Sequence, residues 1–227
     1  MYDIFRARQR RRIQTVDFVS HSHLRMLSEW EFEPFGPLSF CLDTLQRPDS
    51  TMQRGPLRDV AVVTYLTQGE AFVELGSSQT VRLGPRAFSA TVPEGMPLTY
   101  RTGSEESRFV EIGLAIEPGD VVASNEMREL SVRGRPPSLD CLVSGQGHPD
   151  TLAIALDCAI YRAYLRTGEN LIFETLITRK LCLLVLRGTI RLEEDRLLPR
   201  DTALIDRVDS VPIAAVQAAE VLLIDMA

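Results

Sequence analysis

The sequence predicts an all-β protein built from two β-barrels, and three observations carry that reading. Short β-branched and aromatic runs recur about every 8–12 residues between Gly, Pro and Ser turns, the spacing of sandwiches and barrels. One layout (strand, Gly turn, strand, Pro turn, strand) occurs twice: "VTYLTQGEAFVEL" lies over "LLVLRGTIRLEE" with Gly69 over Gly188, and "VRLGPRAFSATVPEG" lies over "DRLLPRDTALIDRVD" with Pro85 over Pro199. Finally, 227 residues suffice for two domains of about 100 residues each.

The opening "MYDIFRARQRRRI" reads as a solvated first strand, in which Ile4 alternates with Arg6, Arg8 and Arg10 before Ile13 resumes the apolar pattern. The first barrel then unfolds as "DVAVVTYLTQ", "AFVEL", "QTVRL", "AFSATVP", "PLTYRT" and "SRFVEIGLAI", separated by "GE", "GSS", "GPR" and "EGM" turns. "SNEMREL" predicts one or two helical turns capped by Ser124, and "RGRPP" is a connector. "LDCLVS", "TLAIALDCAIYRAYL" and "ENLIFETL" open the second barrel, with "GQGHPD" as a loop between the first two. The second of these runs is also compatible with a helix. The expected division is residues 1–120 for the N-terminal domain, 121–137 for the connector and 138–227 for the C-terminal domain.

Hydrophobic residues make up 44% and charged residues 25% of the chain, the balance of an ordinary globular protein. No apolar run approaches the ~20 residues of a membrane helix. The first residues lack the apolar core of a signal peptide, so a cytoplasmic location is expected. Cys41, Cys141, Cys158 and Cys182 are scattered without a C-x-x-C pair, which excludes a zinc ribbon and a thioredoxin motif and favours buried free thiols. Five arginines and Asp3 give residues 1–12 a charge of +4. That leaves −10 for the rest of a chain whose net charge is −6, and such an acidic body repels phosphate. Nucleic acid is therefore not an expected partner.

The doubled layout resembles the cupin superfamily of small jelly rolls. Within it, "FGPLSF...VVTYLTQGEAFVEL...VRLGP", together with "LDCLVSGQGHPDTLAIALDCAIYRAYLRTGENL" and the closing "AEVLLIDM", resembles the pirin-like bicupins over nearly the whole chain. The resemblance implies an iron site of three histidines and a glutamate in the first barrel, a donor set suited to first-row divalent metals. Carried over residue by residue, the His-x-His pair falls on Gly55 and Leu57, with Arg58 after it. The His-x-Glu pair falls on Thr99 and Arg101. None of the four can replace the ligands it stands for, so the metal site is expected to be lost and no cofactor is expected.

A displaced site is the alternative. His21 and His23 in "HSH" share one face of a strand, and Glu29, Glu31 or Glu33 could complete a set. Edge or surface histidines are the simpler reading, and His148 in "GQGHPD" is given no role. Tyr65, Thr99, Tyr100 and Arg101 are the candidates for lining an emptied pocket. If Arg101 points inward, Glu70, Glu74 or Glu111 is expected beside it, or a bound anion. No G-x-S-x-G elbow, phosphate loop or dinucleotide fingerprint occurs, and Lys180, the single lysine, sits at a strand start.

These residues point to a metal-free pirin-like bicupin that binds a small molecule or a protein partner without catalysis. Two alternatives follow from the resemblance. One is a quercetinase-like dioxygenase with its metal at His21 and His23. The other is a redox or transcriptional regulator of the kind pirin is, for which only the arginine-rich start speaks.

Overall fold

The structure, a computed structural model, describes residues 1–28, 31–55, 57–76, 79–84, 87–91, 95–116, 126–129, 137–145, 147, 151–154 and 156–227. Among them there is no α-helix; the elements are antiparallel strands and one short 3₁₀ turn, Ala7–Gln9. No helix is long and apolar enough to cross a membrane. The chain is all-β and forms two jelly-roll barrels, which correspond to two compact units: Arg11–Leu130 with Leu152–Leu156, and Met1–Arg10, Ser131–Thr151 and Asp157–Ala227.

The first barrel has two sheets. One runs Glu126–Glu129, Ala87–Thr91, Val60–Gln68, Ser107–Ala115, Leu38–Gln46, Phe18–Ser22, Arg12–Gln14. The other runs Gln79–Leu83, Ala71–Leu75, Leu98–Thr102, Thr51–Arg54. The second barrel is organised around two long strands, Lys180–Leu192 and Ser210–Met226. Their first pairing carries register shifts at Val185/Arg187, Arg187/Thr189 and Thr189/Ile190. Shifts of this kind bend a strand and let it serve two faces of a barrel. Accordingly Lys180–Leu192 pairs with Thr202–Asp206 near one end and with Asp195–Leu197 near the other, and Ser210–Met226 pairs with Cys158–Leu165 and Asn170–Glu174.

The repeat read from the sequence has a geometric counterpart. Gly69 and Gly188 both sit at positive φ, 77° and 75°, and a Cβ at Gly188 would lie 1.9 Å from the Ala218 carbonyl oxygen. Glycine suits both places: Gly69 lies at the turn between Val60–Gln68 and Ala71–Leu75, whereas Gly188 sits at a register shift inside the single strand Lys180–Leu192. Pro85, aligned with Pro199, lies outside the described residues.

Two local expectations change. "SNEMREL" is not helical where it is described: Glu126–Glu129 is a strand, because Ala87–Thr91 offers it a ladder partner, and Ser124 lies outside the described residues. The first ten residues, expected in the first barrel, pair through Tyr2–Phe5 with Thr202–Asp206 of the second. Two of the arginines there are engaged. Arg6 bonds Asp195 at 2.6 Å and Asp201 at 3.4 Å, and Arg10 donates to Thr202 Oγ1 at 2.7 Å.

The cores differ in kind. That of the second barrel is aliphatic, with Leu181, Leu183, Val185, Ile205, Val221 and Leu223 at its centre. That of the first draws Phe40, Leu42, Val62, Leu66 and Phe109 from one sheet and Met52, Val73, Leu75, Leu98 and Tyr100 from the other, and it carries charge as well.

All four cysteines are free. Burial pushes the thiol of Cys141 up to about 11 and those of Cys158 and Cys182 up to about 12, against 9.0 for an unburied thiol. The unfolded chain therefore releases these protons before the folded one does. Stability is then expected to hold below pH 9 and to fall as pH rises toward 11–12. Urea unfolding at pH 7.5 and at about pH 10.5 checks this; an unchanged midpoint contradicts it.

Candidate functional site

The Thr51–Arg54 strand, "TMQR", alternates exposed and buried positions. Met52 and Arg54 face the interior and Thr51 and Gln53 face out, as the period of two in a strand requires. This places a guanidinium inside the first barrel. Arg54 is 5% exposed, and its partner Glu111, on the facing sheet, is fully buried.

The pair is bidentate. Arg54 Nε donates to Glu111 Oε1 at 3.0 Å and Nη2 donates to Oε2. Two hydroxyls take up further donors and acceptors of the pair. Arg54 Nη2 donates to Ser20 Oγ and to Thr44 Oγ1, each at 3.3 Å. Thr44 Oγ1 donates to Glu111 Oε2 at 3.3 Å, and the two hydroxyls lie 2.7 Å apart. The guanidinium carbon also sits 5.6 Å from the centre of the Phe18 ring, within reach of a cation–π attraction. Hydrogen bonds of this kind offset part of the cost of burying a charge pair.

Tyr100 faces the same interior. Its ring stacks on Phe109 at 4.7 Å, and its hydroxyl lies 2.9 Å from Thr64 Oγ1. Burial first, and the nearby Glu111 charge second, hold its pKa well above the ordinary phenol value, so Tyr100 stays protonated.

Beside Arg54 opens a cavity of about 410 Å³, lined by Phe32, Phe40, Leu42, Gln53, Arg54, Gly55 and Leu57. Its walls are largely aromatic and aliphatic, and Phe32 and Phe40 contact each other with ring centres 6.4 Å apart. Gln53 is exposed, which puts its amide at the mouth, whereas Arg54 forms the polar part of the buried wall. The volume falls in the range of small-molecule sites.

Of the residues singled out in the sequence, Gly55 and Leu57 line this cavity and Tyr100 lies in the core behind it. Thr99 and Arg101 are turned the other way. The Leu98–Thr102 strand buries Leu98, Tyr100 and Thr102, so residues 99 and 101 stand on its opposite face. Arg101 is half exposed and ion-paired with Glu74. The inward cation is therefore Arg54 and not Arg101, and of the three candidate carboxylates only Glu111 is inside. Glu70 pairs with Arg82 near the surface. Tyr65 is buried, but on the face of its strand opposite Thr64 and Leu66, two residues that point into the barrel. Arg54 was missed by sequence reasoning, although the period of two places it on the Met52 face; Glu111 was named there, but as a partner for Arg101.

The residues present do not fit a metal. Gly55, Leu57, Thr99 and Arg101 supply no imidazole or carboxylate, and Glu111, the carboxylate inside the barrel, is taken up by Arg54. The alternative pair does not converge on a site either. His23 is fully buried, with its backbone N–H bonded to the Cys41 carbonyl at 2.8 Å, and His21 is half-buried beside Asp43 in register. Glu31 bonds Ser28, and Glu33 pairs with Arg25; Glu29 and His148 lie outside the described residues. Among the described residues no group of three His, Cys, Asp or Glu could hold a metal ion.

Residues 141–226 match the family model of the quercetinase C-terminal cupin domain. No curated protein matches the chain in sequence. Several solved structures share its fold. Bacterial pirin YhhW from Escherichia coli, in complex with nickel(II), superposes with a TM-score of 0.86 at 19% identity, covering 100% of this chain and 99% of that one. GK1651 from Geobacillus kaustophilus gives 0.77 at 12% identity, over 99% and 95%. Quercetin 2,3-dioxygenase from Acinetobacter baumannii gives 0.77 at 11% identity, over 99% and 78%. The repeat, the two jelly-roll barrels and these matches agree: the chain has the fold of a pirin-like bicupin.

Proposed function

We propose that the first barrel is a metal-free binding site for a small molecule and that the chain does not catalyse an oxidation. The observation behind this reading is that Gly55 and Leu57, the positions matching the family's His-x-His pair, line a cavity together with Arg54, a cation already bonded to Glu111. A pocket of this size with apolar walls and a few polar groups suits a small organic molecule better than a protein surface.

Binding of prodan, an uncharged dye whose emission reports an apolar environment, tests the assignment. The native protein is expected to enhance its emission, and Leu57→Trp, which fills the cavity, to abolish most of that enhancement. Equal enhancement in both proteins places the dye elsewhere and removes the cavity as the site.

The dioxygenase reading draws on the similarity to quercetin 2,3-dioxygenase. It needs metal ligands that the first barrel does not offer at Gly55, Leu57, Thr99 and Arg101, so the protein is expected to leave quercetin unconsumed with nickel or iron added. Turnover dependent on His21 or His23 would overturn that.

A further inference from the structure

The charge balance inside the first barrel determines which molecules its cavity can take. Arg54 would by itself make the site an anion trap, since a guanidinium in an apolar wall forks onto a carboxylate. It is not by itself. Glu111 accepts from both its Nε and Nη2, so guanidinium and carboxylate enter the wall as a neutral unit, both more than nine-tenths buried. An anionic ligand would leave that interior at a net −1 and a cationic ligand at +1, and an uncompensated charge in a dry site is costly. The remaining walls, Phe32, Phe40, Leu42 and Leu57, offer contact but no compensating charge, while Gln53 at the mouth offers one amide donor pair and one acceptor.

We infer that the cavity selects uncharged, largely apolar molecules, and that Glu111 is the residue that sets this selectivity by cancelling Arg54. This rests on the proposed binding role of the cavity and adds to it the chemical class of the ligand. It also replaces the expectation of a bound anion beside an inward Arg101. That side chain is half exposed and engaged by Glu74 on the opposite face of its strand.

Three probes of nearly equal shape separate charge from fit: benzamide, benzoate and benzamidine, each competed against prodan. Benzamide is expected to displace the dye from the native protein at least about tenfold more effectively than either charged probe, a difference of about 1.4 kcal/mol. Glu111→Gln keeps the shape of the wall and removes the cancelling charge, so benzoate should gain about tenfold there; Arg54→Met should instead favour benzamidine. Far-ultraviolet circular dichroism confirms that each variant is folded, and the native comparison decides the matter without them. If benzoate competes as well as benzamide in the native protein, or benzamide fails to compete at all while prodan binds, the charge selectivity is wrong though the cavity stands. If prodan itself does not report on the cavity, the underlying binding role fails with it.

Discussion

Replacing Glu111 with alanine is expected to destabilise the protein by about 3–5 kcal/mol, the cost of leaving one member of a buried ion pair alone. Arg54 is 5% exposed on the inward face of the Thr51–Arg54 strand, so its charge would remain in the barrel without the carboxylate that now accepts from it. Arg54→Ala should cost a similar amount, from the carboxylate side. The double substitution Arg54→Met/Glu111→Leu is expected to recover most of the loss, because apolar residues of similar volume often match a buried pair. Denaturant unfolding of the three variants separates the cases. Single variants within about 0.5 kcal/mol of the native protein, the range of ordinary surface changes, would show the pair to be solvated.

Gly113→Ala should have the second largest effect, and it should reach the cavity. A Cβ at residue 113 would stand 2.2–2.5 Å from three carbons of the Phe40 ring. The ring's other surroundings include the cavity, so Phe40 yields toward that space and reduces it. Overpacking of this kind costs about 1–3 kcal/mol. Gly113→Ala is therefore expected to lower both the unfolding midpoint and prodan binding. A normal midpoint with undiminished binding would mean that Phe40 is free to move elsewhere.

Much of the fold was legible because strand signals are local. The alternation in "AFVEL" and the turn at Gly69 survive into the structure, while Gly188 keeps the positive φ of its counterpart but sits inside one long strand. What was not legible depends on distant partners. Glu126–Glu129 becomes a strand because Ala87–Thr91 lies beside it, and nothing in the first ten residues announces a ladder with Thr202–Asp206, about 200 residues on.

The site was half legible for the same reason. Gly55 and Leu57 could be found by family pattern. Thr99 and Arg101 stand on the outer face of their strand, because the period of two turns alternate side chains away from the buried Leu98, Tyr100 and Thr102. The signals that could have located the pair were present. Arg54 shares the parity of Met52 in "TMQR", and Glu111 interrupts the otherwise apolar run "FVEIGLAI" in a strand with neighbours on both sides. A lone carboxylate in a central strand requires a cation opposite, and the facing sheet supplies one.

The claim that the first barrel has exchanged a metal for the internal Arg54–Glu111 pair is tested most directly by elemental analysis. The protein would be incubated with nickel or iron, dialysed exhaustively and measured for metal per chain. The account expects far less than one equivalent of any first-row metal, and an unfolding midpoint unchanged by a chelator. About one metal per chain retained after dialysis, and lost on replacing His21 or His23, would contradict it.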